Sequence, residues 1–473
     1  MSRLSRAALG CALLAAACGP VVDLDDAGPR IDAGSFVYDA GQPVDAGPDA
    51  GVVEPDAGFD AGFDAGVVDA GQPVDAGFSV LRYPSGRTQS PLTAEVAAHL
   101  QSIAALGPSK NGAVFSKIGD SNTVNPNYLG CFAGAGVDLG THTALEPALT
   151  HFLGGMVGGT TPFERTSLSA TVGWSAFSAV TGMPTPLQEE VDAASPRYAT
   201  VMFGTNDVGF ADTHMFGRNL FTIIDALAMQ GVVPIVSAIP PRDDSATTDA
   251  WVPRYNLVAR GVAQARRVPF VALHRELLTV PAHGLGPDGV HLNVYVPGAV
   301  RGCALTPAGL AFGHNTRNLV TLEGLSRAWG AVTAGTAPDA TAPRIRGTGL
   351  RGDEIVIDSL PFVDVRDTRT DGAARIDSYP GCASAANESG REVLYRLELS
   401  QPTNVRVFVV SLGTSDIDVH LMSDTTSGQS CVVRNDRFFV RQLAAGTYWL
   451  SLDTYQSAAG VLPGEYLVGV IAE

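Results

Sequence analysis

From about residue 90 to residue 332, apolar runs of strand length alternate with stretches whose apolar residues recur at helical spacing. Ala113–Ile118 predicts a first strand, Ser167–Val172 a weaker second and Tyr198–Phe203 a third. Val232–Ala238 and Pro269–Ala272 follow as the fourth and fifth. Between them, Phe216–Met229 and Val252–Arg267 place apolar residues at i, i+3 and i+4, the pattern of helices that cover a sheet. A last helix is expected from about Pro307 to Trp329. Strands alternating with helices predict an α/β fold with a doubly wound parallel sheet. In such a sheet, ligands bind beyond the carboxyl ends of the strands.

The texture changes after residue 350. Val393–Leu399, Asn404–Leu412, Ile417–Met422, Arg437–Leu443 and Gly446–Leu452 are short and rich in β-branched and aromatic residues, with turn residues between them. YRLELSQ and VRVFVVS alternate apolar and polar positions, which predicts a small all-β sandwich or jelly roll over residues 351–473. Residues 333–350, rich in Thr, Ala, Pro and Gly, read as a linker.

Charge changes the picture at the other end of the chain. The formal net charge is −17: the repeated Asp-Ala-Gly tract of residues 21–78 carries about −12, Arg3 and Arg6 before it add +2, and about −7 is left for residues 79–473. A tract of Gly, Pro and Asp cannot bury enough surface to offset its ordering entropy, so residues 18–80 are expected to be a disordered tether. The acidic balance offers nothing to nucleic acid. Residues 1–17 carry Arg3 and Arg6, then an apolar run, then small residues, the order of a secretory signal. Leu14-Ala15-Ala16-Ala17-Cys18 resembles a bacterial lipobox, with Ala15 where the usual pattern has Leu. The resemblance implies lipidation of Cys18 and a membrane anchor; the plain alternative is a signal cut nearby.

Export sets the reading of the remaining cysteines. Cys131, Cys303, Cys382 and Cys431 are even in number and contain no close C-x-x-C pair, so two disulfides are expected rather than a zinc site. Four cysteines allow three connectivities, and the domain boundaries favour Cys131–Cys303 with Cys382–Cys431.

Four short segments carry candidate chemistry: Gly119-Asp120-Ser121, Gly173, Gly204-Thr205-Asn206-Asp207, and Asp288-Gly289-Val290-His291. Each follows an expected strand or precedes the last helix. Taken in this order, they resemble the blocks of the GDSL, or SGNH, hydrolase family, over about residues 110–330. The resemblance implies a serine esterase needing neither metal nor cofactor. Ser121 would be the nucleophile, since a serine hydroxyl needs an adjacent base. His291 would be that base, and Asp288 would orient its imidazole. The backbone N–H groups of Ser121 and Gly173 and the amide of Asn206 would form the oxyanion hole, while Asp207 would brace the Asn206 loop. Asn122–Tyr128 is a poor helix start, so a long loop is expected to cover the site, and Leu292–Thr306 reads as an insertion.

Residues 351–473 resemble the bacterial pre-peptidase C-terminal domain, on "REVLYRLELSQPTNVRVFVVSLGTSDIDVHLMSD" and "LAAGTYWLSLDTY". This half is expected to bind a surface polymer or another protein. The expected activity is hydrolysis of short-chain acyl or carbohydrate acetyl esters through an acyl-serine. A non-catalytic adhesion lipoprotein and an O-acyltransferase are the alternatives.

Overall fold

The computed structural model describes residues 80–473. The expectations for residues 1–17, for Cys18 and for the Asp-Ala-Gly tract lie outside the described residues.

The hydrolase-like half is built on a four-stranded parallel sheet with strands β1 (Asn111–Gly119), β2 (Pro196–Met202), β3 (Val233–Ser237) and β4 (Phe270–Val271) in that spatial order. Phe115 lies opposite Tyr198, Val201 opposite Val236, and Val236 opposite Phe270. Every residue of β2 is buried, as a central strand covered on both faces requires. The helices Thr213–Met229 and Val252–Ala265 pack together, and Gly313–Ala334 packs against Ala94–Leu106 and Glu146–Leu153. Both groups touch β3, so the sheet is wound on both faces.

Ser167–Val172 is not a strand. It contributes one isolated parallel bridge, Ala170 to Gly119, beside the free edge of β1. Its alternation is mostly wasted, because Leu168 and Val172 are 49% and 67% exposed. That bridge still decides the topology. The chain leaves β1 to one side, touches Ala170, and returns across it to β2. The carboxyl end of β1 is therefore the switch point, where an open α/β sheet leaves a crevice.

The last helix starts at Gly313, after a short 3-10 turn at Gly309–Ala311, and runs to Ala334. The segment beyond it is pinned down. The Ile345 N–H donates to the Val80 carbonyl, and Asp339 accepts from the Leu92 N–H and from Arg327.

Residues beyond 350 form two larger sheets beside a two-stranded ribbon of Gln456–Ser457 and Gly460–Val461. One orders Cys431–Asn435, Ile417–Met422, Gly446–Thr454, Glu392–Leu399 and Ile355–Ile357; the other orders Phe438–Leu443, Thr403–Ser411, Glu465–Ala472 and Phe362–Asp367. Val419, Leu421 and Leu450 of the first share one apolar cluster with Val405, Val407 and Val468 of the second. The second sheet is also docked on the hydrolase half, since Val363, Phe408, Val410 and Leu467 belong to that half's core. Gly261 permits this approach. A Cβ there would lie 2.5 Å from Val363 and 2.6 Å from Leu467. Arg266 seals the edge by holding both Asp225 and Glu465.

Candidate active site

Ser121 opens a one-turn helix, Ser121–Val124, directly after β1. The expectation of a poor helix start is corrected here. Asp120 supplies the cap, its Oδ1 accepting from the Asn122 N–H at 3.0 Å, which Asn-Thr-Val alone could not do. The following segment does not lie over the site as a cover. Tyr128, Leu129 and Phe132 are buried in the core.

His291 lies on the loop before the last helix. Its Nε2 is 2.8 Å from Ser121 Oγ, and its Nδ1 is 2.6 Å from Asp288 Oδ2. The other Asp288 oxygen accepts from the backbone N–H groups of Val290 and His291, which folds the loop back on itself. Burial would raise the Asp288 pKa. The hydrogen bonds from the His291 ring and from these two N–H groups outweigh it and bring the pKa down to about 2. The side chains of His291 and Asp288 are 42% and 52% exposed, so the imidazole is accessible from solvent.

The other two blocks reach the same place. Thr171 N–H donates to the Gly119 carbonyl, two residues before Ser121, and Gly173 follows on this segment. Gly173 has φ +80°, which favours glycine, and a Cβ on it would meet nothing within 4 Å. Its constraint comes from the backbone, and the space in front of it is open. Asn206 Nδ2 donates to the Trp174 carbonyl at 2.8 Å, which fixes which end of the amide is nitrogen. Asp207 braces both loops, its Oδ1 accepting from the Ala176 N–H at 3.0 Å. Burial pushes the Asp207 pKa up to about 6.

Two residues with a part in this arrangement escaped the sequence reading. Asn122 is fully buried, and its Oδ1 accepts from the N–H of Leu292, the residue after His291, at 3.3 Å. Arg317, on the last helix, donates to the Asn122 carbonyl at 2.6 Å and to Thr123 Oγ1 at 3.0 Å. Its guanidinium lies 3.6 Å from the Tyr128 ring centroid. Together they tie the nucleophile turn to the histidine loop. Arg317 was legible only as a charge inside an otherwise core-facing helix, with nothing to name its partner 195 residues away.

The disulfides join Cys131 to Cys303 and Cys382 to Cys431, with Cα atoms 5.5 and 5.3 Å apart, the pairing that the domain boundaries favoured. The first links the segments that follow Ser121 and His291. Beside the Ser121 turn, a cavity of about 290 Å³ is lined by Thr123, Val124, Lys117, Arg165, Thr166 and Ala170, among others.

A serine on a histidine on a carboxylate, at the switch point of a parallel sheet, is the arrangement of an acyl-transferring hydrolase. Residues 118–295 match the GDSL-like lipase/acylhydrolase family. The segment is a GDSL-like acylhydrolase domain. The chain is accordingly an ester-hydrolysing serine hydrolase.

No curated protein sequence matches the chain. Among solved structures, it is similar to a catalytic mutant of Axe2, an acetylxylan esterase from Geobacillus stearothermophilus, at 14% identity and TM-score 0.31, over 47% of this chain and 97% of that one. A GDSL-like lipase from Bacteroides thetaiotaomicron is similar at 16% identity and TM-score 0.30, over 50% and 98%. LAE5, an α/β hydrolase from the metagenome of Lake Arreo, Spain, is similar at 18% identity and TM-score 0.29, over 46% and 95%.

Proposed function

We propose that this acylhydrolase removes short acyl groups, foremost acetyl groups on extracellular or wall polysaccharide, through an acyl-Ser121 intermediate. The observation that carries the reading is the unbroken hydrogen-bonded chain from Ser121 Oγ through His291 to Asp288.

Ser121 Oγ attacks the ester carbonyl carbon while its proton passes to His291 Nε2. Asp288 accepts from Nδ1–H, holds the tautomer and stabilises the imidazolium. The oxyanion takes the backbone N–H groups of Ser121 and Gly173 and the second N–H of Asn206 Nδ2, the first being held by Trp174. One such donor is worth about 3–4 kcal/mol in the transition state. The tetrahedral adduct collapses as Nε2 returns the proton to the leaving alcohol oxygen. Water then repeats the sequence on acyl-Ser121, releasing the acid and restoring the hydroxyl.

The polar groups of the cavity beside Ser121, Lys117, Thr123, Arg165 and Thr166, support a hydroxylated substrate over a long alkyl chain. Export and a lipid anchor on Cys18 complete the reading, supported by the order of charge, apolar run and small residues in 1–17 and by the two disulfides. We take residues 351–473 as a β-sandwich of the pre-peptidase C-terminal type, a reading supported by the core that its two sheets share.

The test uses p-nitrophenyl esters from acetate to octanoate on wild type and Ser121→Ala. Activity should be highest on acetate and fall with chain length, and the substitution should lower kcat by on the order of 10⁵-fold or more. Hydrolysis that survives Ser121→Ala would sink the triad.

A further inference from the structure

The hydrolase half and the β half meet around a second cavity, of about 310 Å³, which the ester chemistry leaves unused. Phe210 reaches it from the loop that starts at Asn206, Trp251 and Arg254 from the start of the Val252–Ala265 helix, and Arg406, Arg437 and Phe438 from the β half. Phe210 is 60% and Phe438 47% exposed, so two aromatic rings stand open to solvent where most of their kind are in the core. Arg254 lies 4.2 Å from the Trp251 ring centroid, and Arg406 lies 5.0 Å from that of Phe438. The rings and the guanidiniums therefore form one surface.

Its charge runs against that of the body around it. Glu473 is shared by Arg254 and Arg406, each at 2.5 Å, so one carboxylate serves two cations. The lining carboxylate of Asp212 is occupied in capping its own helix, with Oδ1 accepting from the Met215 N–H at 2.9 Å. Arg437, exposed at the cavity wall, makes no ion pair among the described residues. Burial, then the charges of Arg437 and Arg218, hold the neighbouring His214 below its ordinary pKa. His214 is therefore neutral at pH 7 and the arginines supply the charge. Residues 79–473 carry about −7 overall, so an anion must find a local cationic site such as this one.

We infer that this cavity is a second substrate subsite, built by both halves of the molecule, for a carboxylate-bearing sugar of the same polysaccharide whose acetyl ester is held at Ser121. A guanidinium forks a carboxylate with two parallel hydrogen bonds. Open aromatic rings cover the apolar face of a pyranose while leaving its hydroxyls wet. Phe210 joins the two sites, because it stands four residues beyond Asn206 on one short turn. The inference rests on the Ser121 reading and gives the C-terminal half a direct part in choosing the substrate.

The experiment compares full-length wild type with Arg437→Ala and Phe438→Ala on O-acetylated polygalacturonate, O-acetylated xylan and p-nitrophenyl acetate. Arg437→Ala should raise KM for the polygalacturonate about tenfold, the loss of one charge-assisted pair. It should leave kcat, the xylan KM and p-nitrophenyl acetate hydrolysis within about twofold. Arg437→Lys should restore part of the loss, and wild-type KM for the polygalacturonate should rise with salt. Titration of the Ser121→Ala protein with acetylated oligogalacturonate reads the cavity apart from catalysis, and Arg437→Ala in that background should bind about tenfold more weakly. If Ser121→Ala still turns over esters, the catalytic reading fails while the titration still judges the cavity. Unchanged KM and binding in both β-half variants, or an equal loss on neutral xylan, would overturn the inference. Unchanged thermal melting of Arg437→Ala confirms that the comparison is made on folded protein.

Discussion

Around Ser121, the buried polar groups Asp120, Asn122, Asp207 and Arg317 each bind the backbone of a loop that carries a reacting group. In the β half, Glu388, Asp418, Asp453 and His420 are equally buried, yet they face one another. Glu388 lies 3.9 Å from His420 and 3.6 Å from Arg434, Arg434 also holds Asp418, and the Tyr379 ring stacks on His420 at 3.5 Å. Burial, followed by the shared proximity of Asp418, raises the Glu388 pKa. Burial and then Arg434 lower that of His420 to about 3. Among the described residues, no group of three His, Cys, Asp or Glu is arranged to hold a metal ion. The pKa displacements in the β half match or exceed that of Asp288, yet the hydroxyls beside them, Tyr379 and Ser451, are fully buried and bonded to each other. Displacement alone records desolvation. Chemistry is marked by an accessible serine hydroxyl seated on an imidazole that a carboxylate orients, as Ser121, His291 and Asp288 are in the hydrolase half.

The comparison breaks most easily at Asp288. Asp288→Asn should lower kcat by about 10²–10⁴-fold, because the amide cannot stabilise the imidazolium. KM for p-nitrophenyl acetate should stay within about threefold, since the carboxylate does not touch substrate. A variant that keeps full kcat would leave His291 without an orienting partner.

The buried links come next. Arg317→Met should lower kcat about 10-fold and destabilise the fold by about 2–4 kcal/mol, since the Asn122 carbonyl and Thr123 hydroxyl lose their donors. Arg317→Lys should not restore kcat, because one ammonium cannot fork both oxygens. Melting curves and steady-state kinetics on the two variants separate positioning from folding. Recovery of kcat in the Lys variant would reduce Arg317 to a buried charge.

The smallest effect on activity is expected at Glu388. Glu388→Gln should leave p-nitrophenyl acetate hydrolysis unchanged and alter only the dependence of stability on pH. The folded-state pKa of Glu388 lies above its unfolded value, so its contribution is complete below the unfolded pKa. That contribution is lost as pH rises towards the folded value, by up to about 1.4 kcal/mol per pH unit for one proton. Wild type should therefore lose stability relative to the Gln variant as pH rises from about 5 towards the folded-state pKa of about 10, as read by urea unfolding. Parallel curves would mean that Glu388 titrates as an ordinary exposed carboxylate.

The parts of this architecture legible in the sequence were those with a local signature. β1, β2 and the two long helices after it announce themselves because buried parallel strands are continuously apolar and covering helices are periodic. The four blocks were legible because each turn uses residue types that its geometry demands. Ser167–Val172 misled because apolar alternation cannot say whether a neighbour strand is long enough to pair with it. Phe362–Asp367 went unread because Asp364 is buried at its centre. Glu465–Ala472 was missed because Gly469 breaks its apolar run. Asn122 had no signal and Arg317 only its charge within a core-facing helix, since their meaning lies in contacts across more than 160 residues.

The Cys131–Cys303 bridge has a consequence for a chain exposed to proteases. It encloses Gly173, Asn206, Asp288 and His291 in one covalent loop and leaves Ser121 just outside. Residues 296–300 are the exposed crest of that loop. A single cut there would separate the histidine from the last helix along the chain, yet both fragments would stay joined through the sulfur atoms, with Arg317 still holding the nucleophile turn. A nicked molecule of this kind would run as two pieces only after reduction, and until then would keep the fragment that carries both nucleophile and base tied to the last helix.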